Sequence, residues 1–185
     1  MRKTQNQNEE PVYLFLSGRA GCGKSFAVKC VKKFIQQHCP PGFLKIAAPT
    51  GTAAFLIKGD TLHSSLKLPV NTAYNNDLND LPNLILKSLQ DAFVNTQILM
   101  IDEMSMVGKY MLYQISKRLQ EAKPQNSTLP FAGVSIVLMG DFAQLPPVTD
   151  HPLFEEKAGT KYQLFGRHLY SSLFKVNFTL TQSLR

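Results

Sequence analysis

Four short runs along the chain are nearly continuous in hydrophobicity: Val12 to Leu16, Phe43 to Ala47, Gln97 to Ile101 and Val134 to Met139. Apolar runs of that length, without strict alternation, predict strands buried on both faces. Between the first two, Ser25 to Gln37 sets Val28, Val31, Phe34 and Ile35 against Lys29, Lys32, Lys33 and Gln36. That is the period of an amphipathic helix, stopped before Pro40-Pro41, and it predicts a βαβ crossover. Two more helices are predicted: Leu81 to Phe93, with Leu84, Ile85, Leu89 and Phe93 on one side, and Val107 to Leu119, with Met111, Ile115 and Leu119. The Asn- and Gln-rich stretches 71–80 and 123–127 read as loops, the segment after Pro147 has no clear period, and a last strand is predicted at Phe178 to Leu180. With no internal repeat, this alternation predicts an α/β fold, a mostly parallel sheet with helices on both faces.

The length of 185 residues suits one domain, and 44% hydrophobic with 18% charged residues excludes wholesale disorder. Lys plus Arg number 20 against 13 Asp plus Glu, a formal charge of +7 that favours a polyanionic partner, though it also serves solubility. Cys22, Cys30 and Cys39 have neither disulfide-framework nor metal spacing, which predicts a reducing, intracellular setting. No run approaches a membrane span, and residues 1–11 are polar, so no membrane partner and no signal peptide are predicted. The expected organisation is a polar tail over 1–11 and a single domain over 12–185.

Candidate chemistry begins at Gly18-Arg19-Ala20-Gly21-Cys22-Gly23-Lys24-Ser25, which fits G-x-x-x-x-G-K-[ST] between a predicted strand and a predicted helix. Glycines there let backbone N–H groups close around phosphate oxygens, Lys24 reaches the outer phosphates, and the Ser25 hydroxyl can ligate magnesium. Ile101-Asp102-Glu103 ends the third strand, at the sheet edge where ligands of such folds bind. Asp102 suits holding magnesium and Glu103 suits positioning an attacking water. Gly140 to Val148, GDFAQLPPV, closes the fourth strand at the same edge, and the Gln144 carboxamide there is either a contact for the terminal phosphate or a plain loop glutamine.

In order along the chain, GRAGCGKS (18–25), APTGTAA (48–54), GDTLHSSL (59–66), IDEMSMV (101–107), GDFAQLPPV (140–148) and LTQSLR (180–185) resemble the Pif-one DNA helicases, the RecD-like branch of superfamily 1B. The resemblance implies a first RecA-like lobe with a P-loop NTPase fold that binds ATP with Mg2+ and grips single-stranded DNA, a monomer driving 5′ to 3′ unwinding in DNA repair and recombination, in the nucleus or mitochondrion of a eukaryote and the cytoplasm otherwise. It implies a cradle of Gly18, Ala20, Gly21, Cys22, Gly23, Lys24 and Ser25, with Ser25 and Asp102 on the metal. Lys24 and Gln144 would act on the outer phosphates, Glu103 as catalytic base and Arg185 as the cation that neutralises transition-state charge. Thr50, Gly51, Thr52 and His63 would touch the DNA, although a lone histidine is by itself more often a satisfied core or surface residue.

Three departures qualify the resemblance. Gln5 and Gln7 lie too close to Val12 for the family's adenine-reading glutamine. Cys22 stands where threonine is usual, placing a thiol at a helix N-terminus, where its pKa would fall unless it is simply a small packing residue. The second RecA-like lobe has no counterpart in these 185 residues, so little or no unwinding is expected of the chain alone. Two other classes remain: a nucleotide-gated nucleic-acid clamp that does not translocate, and a small-molecule or nucleoside kinase sharing only the P-loop.

Overall fold

The computed structural model describes residues 10–70 and 77–181. In chain order its strands and helices are β1 (Tyr13–Gly18), α1 (Lys24–His38), β2 (Leu44–Ala48), α2 (Gly51–Leu56), β3 (Asp60–Thr61), α3 (Leu62–Leu66), α4 (Asn83–Phe93), β4 (Ile98–Ile101), α5 (Lys109–Ala122), β5 (Ser135–Gly140), α6 (Lys161–Leu173) and β6 (Val176–Leu180). The six strands form one sheet in the order β3-β2-β4-β5-β1-β6, and each neighbouring pair is parallel.

The register explains why the strands are hydrophobic without alternation. Phe15 and Ile101 both pair with Leu138, on the face that carries Leu112, Ile115 and Leu119 of α5, Leu89 and Phe93 of α4, and Phe174. One residue along, Leu16 pairs with Met139 and Met100 with Val137, on the opposite face, where Val28 of α1 packs. A parallel sheet covered on both sides needs apolar residues at successive positions.

Where structure and periodicity differ, the difference lies in which helical stripe meets the sheet. On α1 the buried line is Val28 and Ile35, two turns apart. Val31 and Phe34 fall about 60° and 120° off that line and are 38% and 61% exposed, the Phe34 ring stacking on His38 at 4.3 Å. On α4 Leu89 and Phe93 are buried, while Leu84 in the first turn is 84% exposed. On α5 the buried line runs through Leu112 rather than Met111, with Ile115 and Leu119 as predicted.

The helices α2, α3 and α6 carry too little periodicity to be read as helices from sequence, and each starts on a threonine cap. The hydroxyls of Thr50 and Thr61 accept from the backbone N–H of Ala53 at 3.3 Å and of Ser64 at 3.1 Å. At α6, Thr160 and Gln163 form a reciprocal capping box. Its T-x-x-Q spacing, standing in the sequence before an apolar stretch, is the signal that locates this helix. Residues 71–76 of the predicted 71–80 loop lie outside the described residues.

Candidate functional site

The phosphate loop, the acids, the glutamine loop and the candidate DNA contacts all leave the carboxyl ends of strands and so share one edge of the sheet. From one side to the other they lie over β3 and β2 (His63, Thr50), β4 (Asp102), β5 (Gln144) and β1 (Gly18). With strands about 4.8 Å apart, the DNA candidates over β2 stand about 14 Å from the phosphate loop. The acids and the glutamine loop fill the interval.

The loop from Gly18 to Lys24 turns on Gly21 (φ 83) and Gly23 (φ 92), left-handed conformations that glycine adopts without strain. Helix α1 has no side-chain cap at Gly23 and no acid in its first turn, so its leading N–H groups are left for an anion. Lys24 folds back onto the loop, donating to the carbonyls of Gly18 at 2.5 Å and Arg19 at 3.1 Å. Its charge still stabilises the ionised forms of both Asp102 and Glu103. Cys22 is buried, and its Sγ lies 2.4 Å from where a Cβ on Gly18 would stand, so the thiol is packed against the strand end. The packing alternative for Cys22 is the one this geometry supports.

Asp102 follows β4, its N–H donating to Ala47 O at 2.9 Å and its Oδ1 accepting from Glu103 N at 3.0 Å. Glu103 sits in the left-handed region (φ 55, ψ 48). That conformation costs a non-glycine residue about 1–3 kcal/mol, and such strain collects at functional sites. Gly140 (φ 144) ends β5 against this turn, with Met104 N only 3.0 Å from where its Cβ would be. Burial holds the Asp102 carboxyl above the usual range, and burial together with the Asp102 charge does the same for Glu103.

Among the described residues no cluster of three or more His, Cys, Asp or Glu side chains forms a metal cage. A carboxylate and a hydroxyl at one sheet edge, Asp102 and Ser25, instead suit a hard cation that keeps most of its water and shares the substrate's phosphates, as magnesium does.

Beyond β5, the N–H of Gln144 donates to Asp141 O at 3.0 Å, and the Phe142 ring reaches inward to lie edge-on to Phe15 at 5.7 Å. The Gln144 side chain is exposed at this anchored turn. The chain then runs through Pro146 and Pro147 to Asp150, and residues 150–160 lie along α5 and α6. Lys109, fully buried in α5, donates through Nζ to the carbonyls of Glu155 and Lys157. The close packing of the two helices needs Gly166, whose Cβ would fall 1.8 Å from Lys109 O.

On the other side, a cavity of about 330 Å3 opens between His63, Pro69 and Val70 and the segment Pro147 to Thr149, over Met106. Burial lowers the His63 pKa, so at neutral pH the ring is an uncharged donor or stacking partner. Gly51 and Thr52 are exposed at the start of α2, while the Thr50 hydroxyl is engaged in its own cap. Arg185 lies outside the described residues. Sequence reasoning missed the Gly108, Lys109, Asp150 and Gly166 contacts because they depend on where 150–160 docks, which no local pattern encodes. Among the described residues no helix is long and apolar enough to cross a membrane.

The sequence profile of the PIF1-like helicase family matches residues 3–185. The ATP-dependent DNA helicase PIF1 of Candida albicans is 36% identical over 142 residues, 74% of this chain and 15% of that protein. The crystal structure of the Candida albicans Pif1 helicase superposes with a TM-score of 0.69 at 27% identity, over 92% of this chain and 36% of that one. That of the Bacteroides Pif1 helicase in complex with ADP-AlF3 and ssDNA superposes with a TM-score of 0.65 at 27% identity, over 96% and 40%. The chain thus spans well under half the length of these relatives.

Proposed function

Because this chain belongs to the PIF1-like helicase family, we propose that it is the nucleotide- and strand-binding lobe of an ATP-driven DNA helicase moving 5′ to 3′ on single-stranded DNA. The supporting observation is the shared carboxyl edge, where one turn of chain separates the acids after β4 from the helix that floors the His63 cavity. In this reading the α1 N-terminus, Lys24 and the glycine loop hold the phosphates of ATP. Ser25 and Asp102 hold magnesium, which when bound neutralises charge on the outer phosphates. Glu103 takes the proton of the attacking water, Gln144 senses the terminal phosphate, and Arg185 supplies a further cation. His63 and the exposed start of α2, Gly51 and Thr52, contact the strand, and the Thr50 cap fixes that start. Unwinding itself requires a second RecA-like lobe, so that grip on the DNA alternates as the lobes close and open.

ATP hydrolysis by the chain with and without an unstructured oligodeoxynucleotide, beside the Glu103→Gln variant, tests this. Nucleotide binding that persists in Glu103→Gln without turnover, and wild-type turnover that rises with the oligonucleotide, are the expected results. Turnover indifferent to DNA but dependent on a small phosphoryl acceptor would identify a kinase instead.

A further inference from the structure

Asp150 joins the two halves of this site. Its Oδ2 accepts from the backbone N–H of Tyr110 at 2.9 Å and of Met111 at 3.2 Å, closing the first turn of α5. That helix has no side-chain cap at Gly108. Its Oδ1 accepts from His151 N at 2.8 Å and from Gln163 Nε2, on α6, at 2.9 Å. Gly108 admits the carboxylate: a Cβ there would lie 2.1 Å from Asp150 Oδ2. Beside it, Lys109 N donates to His151 O at 3.0 Å, and Gly108 bridges to Pro152.

Three routes leave this one side chain. Through the start of α5 it reaches the short turn 104–106 and Glu103. Asp150 itself lines the His63 cavity beside Gly108, Tyr110 and Met111, and along its own backbone it continues through Thr149, Val148 and Pro147, the adjoining wall, to Gln144. Through Gln163 it is fixed to α6. A group entering the cavity presses on a wall whose far end is held to the helix that follows the acid pair. A slack loop would absorb that displacement, whereas a segment held at both ends passes it on, to Glu103 by one route and to Gln144 by the other.

We propose that Asp150 is a positioning residue that couples occupancy of the His63 cavity to the placement of Glu103 and Gln144, a proposal that rests on reading that cavity as the site for single-stranded DNA. The measurable quantity is linkage: the factor by which MgADP–aluminium fluoride changes the affinity for a fluorescent oligothymidylate, a factor of about five or more for a working coupling. Asp150→Asn keeps the size and loses one acceptor, so its single carbonyl oxygen serves either α5 or the His151 N–H and Gln163. Nucleotide affinity without DNA should stay within about twofold of wild type while linkage falls below about twofold. Adding Gln163→Glu lets the new amide at position 150 donate to a carboxylate on α6 and keeps the capping box, leaving only the His151 N–H without its acceptor, so the double variant should recover linkage if the tie to α6 carries it.

Undiminished linkage in Asp150→Asn overturns the proposal. So does lost linkage that the second change does not restore, together with an equal fall in melting temperature in both variants, since Asp150 would then be only a structural cap. A wild-type chain that binds nucleotide but no oligothymidylate refutes the strand-site reading itself, and the proposal with it.

Discussion

Replacing Lys24 by alanine separates the lysine's two jobs. With no phosphate in reach, its Nζ donates to Gly18 O at 2.5 Å and Arg19 O at 3.1 Å. Binding ATP exchanges those neutral acceptors for phosphate oxygens. The ammonium is ionised in both sets of hydrogen bonds, so the exchange of partners is close to neutral and the gain is the attraction between opposite charges. At about 4 Å that attraction is about 1 kcal/mol in bulk water and about 4 kcal/mol near a protein surface, or about 5- to 1,000-fold in Kd. The stability effect should be smaller. Arg19 is exposed and its carbonyl can take water, so only the Gly18 carbonyl, in a part-buried contact, loses a partner, a loss at the low end of about 1–3 kcal/mol. Titration with ATP and magnesium, paired with urea unfolding, measures both. A folded Lys24→Ala chain with ATP affinity within about threefold of wild type would refute the phosphate assignment. A collapse of stability matching the lost affinity would mean that the lysine chiefly holds the loop together.

Three other outcomes are expected. A thiol-alkylating reagent followed by peptide mass spectrometry should modify exposed Cys30 well before buried Cys22; faster labelling of Cys22 would mean that the phosphate loop opens in solution. Gly166→Ala drives a Cβ to 1.8 Å from the backbone oxygen of Lys109, so overpacking at the upper end of about 1–3 kcal/mol, less the alanine's helix preference of about 1 kcal/mol, gives a net loss of about 2 kcal/mol in urea unfolding; an unchanged midpoint would contradict the tight α5–α6 crossing. Asp102 and Glu103 hold their protons above the usual carboxylate range in the fold, so the stability they contribute is fully present below the unfolded values and is lost as pH rises through the raised ones. Asp102→Asn should therefore gain melting temperature over wild type, without nucleotide, at pH 8 more than at pH 5; a pH-independent difference would refute the burial argument.

Local order determined much of this protein. A buried strand can be read from residues 12–16 or 134–139 because both faces of a parallel sheet exclude water, and the phosphate loop can be read because its glycines and lysine are consecutive in the chain. The acids at 102 and 103 were equally legible, standing where an apolar run ends. Tertiary structure decided what depends on docking. Whether Phe34 or Leu84 is buried follows from the line along which a helix crosses the sheet, and a helical period gives the spacing of a stripe but not its direction. The fate of Cys22 turned on the space above Gly18. The segment 150–160 has no period because it is held by a buried lysine, a shared carboxylate and two glycines contributed by distant elements. Those contacts form only when the sheet has brought α5 and α6 together. Hydrophobic patterning is written residue by residue, whereas complementarity between parts remote in the chain exists only once the chain is folded.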